Sequence, residues 1–277
     1  MPSMPALSGL YRYPIKSTAG QALDSMTVKE EGLEGDRRYM LAKPDGTFLT
    51  ARTHPRLQRV VATPVSGGLD VSHPELGETR VREAEFEGRP FATQVWDDPF
   101  DALTTTAALD DWFSRAAGEA VRLLWIGRRS PRYRTTIERR VGFADGYPLM
   151  LISQASLDDL NQRMGIPQRM AQFRPNLVVA GTQPYAEDSW KRIRIGEVEF
   201  LVDAPCSRCA MVTVDPSTGQ FQARGEPLRT LANYRRGPGG KVYFGQNLIA
   251  LNEGLITLGN EVDVLEFASS AMTCPGA

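Results

Sequence analysis

Cys206 and Cys209 stand three positions apart in the segment Pro205-Cys206-Ser207-Arg208-Cys209, with Arg208 between them. A thiolate beside a guanidinium is stabilised as the anion, and is then a better nucleophile or metal ligand than an ordinary thiol. Soft sulfur ligands favour soft or thiophilic metals. A closed zinc centre needs about four Cys or His ligands. The other candidates for one are Cys274, near the C-terminus, and His54 and His73, which show no ligand spacing. A thioredoxin-like pair opens a helix after a strand, whereas Val212-Thr213-Val214 reads as strand. A buried structural pair is compatible with the same spacing.

Three short polar clusters supply groups that hold anions: Tyr13-Pro14-Ile15-Lys16-Ser17, Glu34-Gly35-Asp36-Arg37-Arg38 and Phe173-Arg174-Pro175-Asn176-Leu177. Lys16 and Ser17 can donate to a phosphate. An arginine presents a planar fork suited to phosphate or carboxylate. Asn176 carries an amide that both donates and accepts. From Arg122 to Arg140 run seven arginines and one acid, Glu138. That local field suits an anionic ligand, an acidic partner protein or a solvated loop. Nucleic acid is disfavoured, because only Trp125 and Tyr133 interleave the charges.

The chain has 277 residues, enough for one large domain or two modest ones, and its 42% hydrophobic content supports a core. Net charge is −1, so no global field draws nucleic acid or membrane. Three cysteines argue against a disulfide scaffold and fit a reducing, cytoplasmic setting. No targeting segment stands out between Met1 and Ser17. No run approaches the ~18 apolar residues of a membrane span.

The elements that position these residues read mostly as short strands. Arg38–Ala42 and Phe48–Arg52 flank the turn Lys43-Pro44-Asp45-Gly46, in which proline presets φ and glycine accepts positive φ. The same design predicts a hairpin of Met211–Val214 and Phe221–Arg224 around Asp215–Gly219. Val198, Phe200 and Val202 alternate as a half-buried strand does. Ile256–Leu258 and Val262–Val264 flank another turn. Leu109, Trp112, Phe113 and Ala116 keep helical spacing behind Thr106 as N-cap. Leu157, Leu160 and Met164 form a second apolar stripe, with Ser156 and Asp159 spaced as a capping box. The expected class is mainly β with a few helices (α+β), in two barrel-like modules that meet near residues 120 to 135.

Pro14-Ile15-Lys16-Ser17, Gly35-Asp36-Arg37-Arg38-Tyr39, Phe173-Arg174-Pro175-Asn176 and Cys206-Ser207-Arg208-Cys209, followed by Thr213–Gly219, resemble the MOSC family in residue type and order. The later segments Glu226-Pro227-Leu228, Tyr234-Arg235 and Phe244-Gly245-Gln246-Asn247 are similar too. The likeness runs from about Leu7 to Leu265 and is nearest to the branch containing the mitochondrial amidoxime-reducing component and its bacterial relatives. It implies an N-terminal β-barrel module, residues 1–122, and a MOSC β-barrel domain, residues 123–277. It implies a molybdenum cofactor, Mo-molybdopterin, with Cys209 as metal ligand and catalytic residue. Lys16, Ser17, Arg37, Arg174, Asn176, Ser207 and Arg208 then become cofactor-binding residues, and Asp145 joins them. Cys206 departs from the family's pattern and reads as a structural thiol close to the site.

The implied activity is reduction of amidoximes, hydroxylamines and N-hydroxylated bases. A plant-type iron–sulfur cluster takes four cysteines and the tail offers Cys274 alone. Electrons are therefore expected from a separate iron–sulfur, flavin or cytochrome b5-type protein. The competing roles are a cysteine-persulfide sulfur carrier in cofactor maturation and a non-catalytic cofactor carrier.

Overall fold

The computed structural model describes residues 4–86 and 88–269, so Cys274 lies outside the described residues. Seven strands form a ring: Ala6–Arg12, Leu177–Ala180, Leu149–Ser153, Val242–Ala250, Val198–Arg208, Trp190–Ile195 and Val262–Phe267, in that spatial order. Pairing is antiparallel except between Leu149–Ser153 and Leu177–Ala180. The ring closes where Ala6 bridges Glu261, with Val262 N–H donating to the Pro5 carbonyl at 2.8 Å. Leu7, Leu10, Leu151, Val179, Ile193, Phe200 and Leu248 fill its interior. Burying each contributes roughly 1.5–3 kcal/mol. Outside the ring, helices Gln154–Met164 and Leu228–Tyr234 cover a second apolar layer around Phe173 and Phe244.

The N-terminal half packs a four-stranded sheet (Tyr39–Ala42, Arg122–Trp125, Asp98–Thr104, Pro90–Val95) and a three-stranded sheet (Val61–Val65, Gly68–His73, Gly77–Arg82). Between them lies the Ala107–Ala117 helix, whose Leu109, Trp112, Phe113 and Ala116 are buried as their spacing predicts. Its cap is Thr106, which accepts from Leu109 N–H. Tyr39 and Leu41 face this core, and Met40 and Ala42 face another on the opposite side. Hydrogen bonding crosses the expected division after residue 122 in two places. Arg122–Trp125 pairs with Tyr39–Ala42, and Ala6–Arg12 belongs to the ring of the second half.

Four local expectations are corrected. The second helix begins after Ser153, whose hydroxyl accepts from Ser156 N–H, so the cap lies three residues before Ser156. Met211–Thr213 is not strand but part of a 3-10 turn, Ala210–Thr213, fixed by Thr213 Oγ1 donating to the Ala210 carbonyl at 2.7 Å. The hairpin there is Val214–Asp215 against Gln220–Phe221. After Phe48 the chain touches Leu41 once more through Leu49 and then turns, because Thr50 Oγ1 accepts from Arg52 N–H at 3.1 Å. Gly254–Thr257 and Val262–Phe267 part company after their turn, pairing with Ser25–Lys29 and Trp190–Ile195 respectively.

Gly245 sits mid-strand at φ 81°. A Cβ there would lie 2.6 Å from Ile152 Cγ1 and 2.7 Å from the Leu151 carbonyl. Backbone and side chain therefore both demand glycine. Gly245→Ala is expected to destabilise the fold by about 2 kcal/mol or more, read as a lower midpoint in urea unfolding; an unchanged midpoint would contradict this account.

Candidate functional site

Residues 13–16 run beside residues 37–39. Arg37 N–H donates to Tyr13 O at 2.7 Å, Tyr39 N–H to Pro14 O at 3.1 Å and Lys16 N–H to Tyr39 O at 2.8 Å. This ladder brings Lys16, Ser17 and Arg37 to one edge. The Arg37 carbonyl then accepts from Phe143 N–H at 2.7 Å, and a Cβ at Gly142 would meet that same oxygen. The loop carrying Asp145 is thus pressed against Arg37. On the other side, Arg174 ends the short Met170–Phe173 helix, and Cys209 follows the bulged end of the Val198–Arg208 strand. Bulges recur where a side chain must be re-aimed near a site.

All nine residues singled out from the sequence line one cavity: Lys16, Ser17, Arg37, Asp145, Arg174, Asn176, Ser207, Arg208 and Cys209. Ser17, Arg37 and Arg174 each hold positive φ, at 70°, 47° and 55°. Such strain costs about 1–3 kcal/mol per residue and gathers at functional sites. Lys16, Arg37, Arg52, Arg174 and Arg208 supply five cations to the lining, against Asp145 as its acid.

Each cation is held by a different device. Lys16 is buried, donates to the Phe143 carbonyl at 2.7 Å and pairs with Asp145. Burial pushes its ammonium down to about 8, against the pull of Asp145. Arg37 pairs with Asp36, and Asp36 accepts from Tyr13 N–H at 2.7 Å. Burial lowers the Arg37 guanidinium, but Asp36, Tyr13 and Asp145 together raise it, and the net shift is upward. Arg174 donates to the Thr18 carbonyl at 2.5 Å and lies 4.1 Å from the Tyr13 ring centre, while Arg37 lies 4.7 Å from that ring. Burial takes Arg174 down to about 10. Burial tends to raise the Asp145 carboxyl, but Lys16 and Arg52 overcome this and hold it well below the carboxylate range.

The sulfur contacts correct the sequence reading. Arg208 neighbours Cys209 in the chain, yet its Nη1 lies 3.1 Å from Cys206 Sγ and its Nη2 donates to the Phe173 carbonyl at 2.6 Å. Arg52 takes the role expected of Arg208: its Nε donates to Cys209 Sγ at 3.0 Å and its Nη2 to Asp145 at 2.8 Å. Sequence reasoning missed Arg52, Tyr13 and the weight of Asp145. Asn176 is engaged within the chain. Its Oδ1 accepts from Arg37 Nη1 and Met150 N–H, and its Nδ2 donates to the Tyr11 carbonyl. It therefore positions Arg37 between two strands. Ser207 is exposed at the rim.

Arg132 is a further correction. It belongs to the arginine-rich run, yet it is 1% exposed, pairs with Asp98 and donates to the Gly142 and Ala144 carbonyls. It anchors the Asp145 loop from behind, so it is withdrawn from any docking surface. Arg128 and Arg129 are exposed.

Both cysteines are free thiols. Among the described residues no three His, Cys, Asp or Glu side chains cluster as metal ligands. The buried Nη2 of Arg174 and Nε of Arg208 have no hydrogen-bond partner among the described residues. Unused donors, excess positive charge and a soft sulfur together fit an anionic ligand that carries a phosphate and a thiophilic metal.

Comparison with known proteins gives the following. Residues 138–263 match the MOSC domain, and residues 4–120 match the MOSC N-terminal beta barrel domain. The chain is 31% identical over 291 residues to mitochondrial amidoxime-reducing component 1 of Homo sapiens, covering 92% of this chain and 82% of that protein. It is 33% identical over 252 residues to mitochondrial amidoxime reducing component 2 of Rattus norvegicus, covering 83% and 72%. It is 32% identical over 272 residues to a molybdenum cofactor sulfurase of Oryza sativa subsp. japonica, covering 86% of this chain and 32% of that one. The chain thus spans about a third of the length of that sulfurase. Among solved structures, the YUAD protein from Bacillus subtilis superposes with a TM-score of 0.41 at 12% identity, covering 94% of both chains.

Lys16 has a testable pH signature. Its folded value of about 8 lies below its ordinary 10.5, so between those limits the unfolded chain binds the extra proton. Stability must then rise with pH across that window, and the cost of the buried charge is fully present below it. Urea unfolding from pH 8 to 10.5 is expected to show this rise in wild type and a flatter profile in Lys16→Met. Parallel profiles would show that Lys16 titrates normally.

Proposed function

The chain belongs to the MOSC-domain family, in the form that includes the MOSC N-terminal beta barrel, and from that premise we propose that it is a molybdenum-cofactor-dependent reductase of N-hydroxylated compounds. The observation that carries the reading is the convergence of the Cys209 thiol with five cations, two of which keep unpartnered buried N–H groups. Lys16, Arg37 and Arg174 would grip the cofactor's phosphate, with Ser17 and Ser207 adding directional hydrogen bonds. Cys209 would ligate molybdenum, with Arg52 donating to its sulfur. Arg208 would hold Cys206 and the strand end. When bound, the cofactor supplies two-electron, oxygen-removing chemistry. The chain's part is to orient it, and to keep the carboxylate of Asp145 ionised beside the metal-side sulfur.

We keep the division into residues 1–122 and 123–277 as a proposal, and with it a cytoplasmic location. Among the described residues no helix is long and apolar enough to cross a membrane. Likeness to the sulfurases favours a second reading, in which Cys206 or Cys209 carries a persulfide for cofactor maturation. A third role, a cofactor carrier without turnover, would bind the pterin and leave a reductant unused.

The deciding experiment pairs Cys209→Ala with Cys206→Ala in protein made in a host with an intact cofactor pathway. Cys209→Ala is expected to abolish amidoxime reduction per bound molybdenum while retaining much of the pterin; Cys206→Ala is expected to be milder. Full turnover by metal-loaded Cys209→Ala would remove the assignment. A mass increase of one sulfur atom on wild type, with sulfur transfer lost in the variant, would favour the carrier.

Electrons are proposed to arrive from a separate iron–sulfur, flavin or cytochrome b5-type protein that meets the exposed Arg128 and Arg129. Reversing both charges to Glu should raise the KM for that donor about tenfold at low ionic strength, and the difference should vanish near 1 M salt, where screening acts within about 3 Å. A KM that responds to neither change would move the docking surface elsewhere.

A further inference from the structure

Each of the five cavity cations lies against an aromatic ring. Arg37 and Arg174 share Tyr13, Lys16 lies over Phe48, Arg208 over Phe173 and Arg52 over Trp96. Tyr13 and Phe173 are buried core residues, where a ring needs no special reason. Trp96 is 45% exposed and stands outside the cavity lining. It opens the two-residue turn between Pro90–Val95 and Asp98–Thr104, where Val95 pairs with Asp98. Its φ is 59°. Two-residue hairpin turns ask for positive φ and are normally filled by Asn or Gly. A bulky residue there is an outlier, and such strain persists where the surroundings of a functional site hold it. Nothing in the turn itself requires an indole.

Arg52 is the group that the indole faces. The guanidinium carbon lies 4.5 Å from the ring centre, and Phe48 braces the ring edge-on with centres 5.1 Å apart. Arg52 Nε donates to Cys209 Sγ and Nη2 to Asp145. Those two donors share one edge of the planar fork. Bonds along a single edge leave the plane free to tilt about it, and a ring against the face removes that freedom. An arginine on a turn has much rotamer freedom to lose, so its aim at the sulfur depends on what lies behind it.

We propose that Trp96 is a positioning residue: its indole fixes the plane of Arg52, keeps one edge of the guanidinium aimed at the Cys209 sulfur and the Asp145 carboxylate, and through Arg52 tunes that sulfur. The proposal rests on the reading above in taking Cys209 as the working sulfur. Hydrogen bonds to a thiolate ligand set the properties of the metal it holds. Losing a partner that orients a ligand typically costs about 10- to 100-fold in affinity or activity.

The test follows Arg52 directly. Its Nε–H is read by proton–nitrogen correlation NMR on the full chain from a host lacking the cofactor pathway, and is assigned by its loss in Arg52→Lys. Trp96→Asn supplies a residue the turn prefers, which spares folding, and Trp96→Phe retains a ring. Wild type is expected to show a sharp, slowly exchanging Nε–H. In Trp96→Asn this proton should shift and exchange about tenfold faster, and Trp96→Phe should restore it. In cofactor-loaded protein, benzamidoxime reduction per bound molybdenum should fall about tenfold in Trp96→Asn. The same substitution should cost nothing further in an Arg52→Lys background, because the two residues act in series. A wild-type Nε–H that exchanges freely, or one unchanged in Trp96→Asn, overturns the proposal. So does a loss of activity that persists undiminished in the Arg52→Lys background. Should wild type reduce no N-hydroxylated compound, the reductase reading falls and the resonance alone decides the role of Trp96.

Discussion

Crowding of like charge governs this molecule. Five cations line one cavity with a single acid among them, and burying an uncompensated charge costs several kcal/mol. The chain answers with counter-groups of several kinds. Asp36 serves Arg37, and Asp145 serves Lys16 and Arg52. The Tyr13 ring lies against both Arg37 and Arg174, and burial in turn pushes the phenol upward so that it stays neutral. Carbonyls of Thr18, Phe143 and Phe173 each accept one further N–H, from Arg174, Lys16 and Arg208 respectively. What stays unsatisfied is the Nη2 of Arg174 and the Nε of Arg208, the donors that the proposed reading gives to an anion. The site is therefore organised before any ligand arrives, which lowers the ordering cost of binding.

The same constraint explains why so much of the fold converges here. Three site residues accept left-handed backbone conformations, with backbone hydrogen bonds such as Arg37 N–H to the Tyr13 carbonyl and Phe143 N–H to the Arg37 carbonyl holding the chain around them. Asn176 clamps two strands and Arg37 with one amide. Arg132 binds two carbonyls of the loop that delivers Asp145, so a side chain far from the sulfur sets the distance between the sulfur's neighbours.

Local pattern carried a good part of this. The helical stripe behind Thr106 and the alternation at Val198–Val202 led to elements, and the nine cavity residues came from the family resemblance that four short motifs carry. What stayed hidden was pairing across long stretches of chain. Arg208 sits beside Cys209 in sequence, but Arg52, more than 150 positions away, reaches its sulfur. A strand end directs successive side chains to opposite faces, so adjacency along the chain argued for the wrong guanidinium. Arg132 looked like one more solvated charge because neither the Asp98 carboxylate nor the carbonyls that enclose it belong to its own segment. Ser153 and Ser156 both suit a cap, and only the buried Glu187, which accepts from Ser153 N–H and Ser156 Oγ, distinguishes them.

The closure of the ring has a consequence for how the chain comes into being. The strand Ala6–Arg12 is synthesised long before its two ring neighbours, Leu177–Ala180 and the segment at Glu261–Val262. At about 5–20 residues per second, tens of seconds pass before both neighbours exist. Throughout that interval Leu7 and Leu10, buried in the finished molecule, belong to an unpaired apolar edge of the kind that seeks other chains. Completion of the barrel is therefore a late, non-local event, set by pairings between the two ends of the described chain rather than by any local segment.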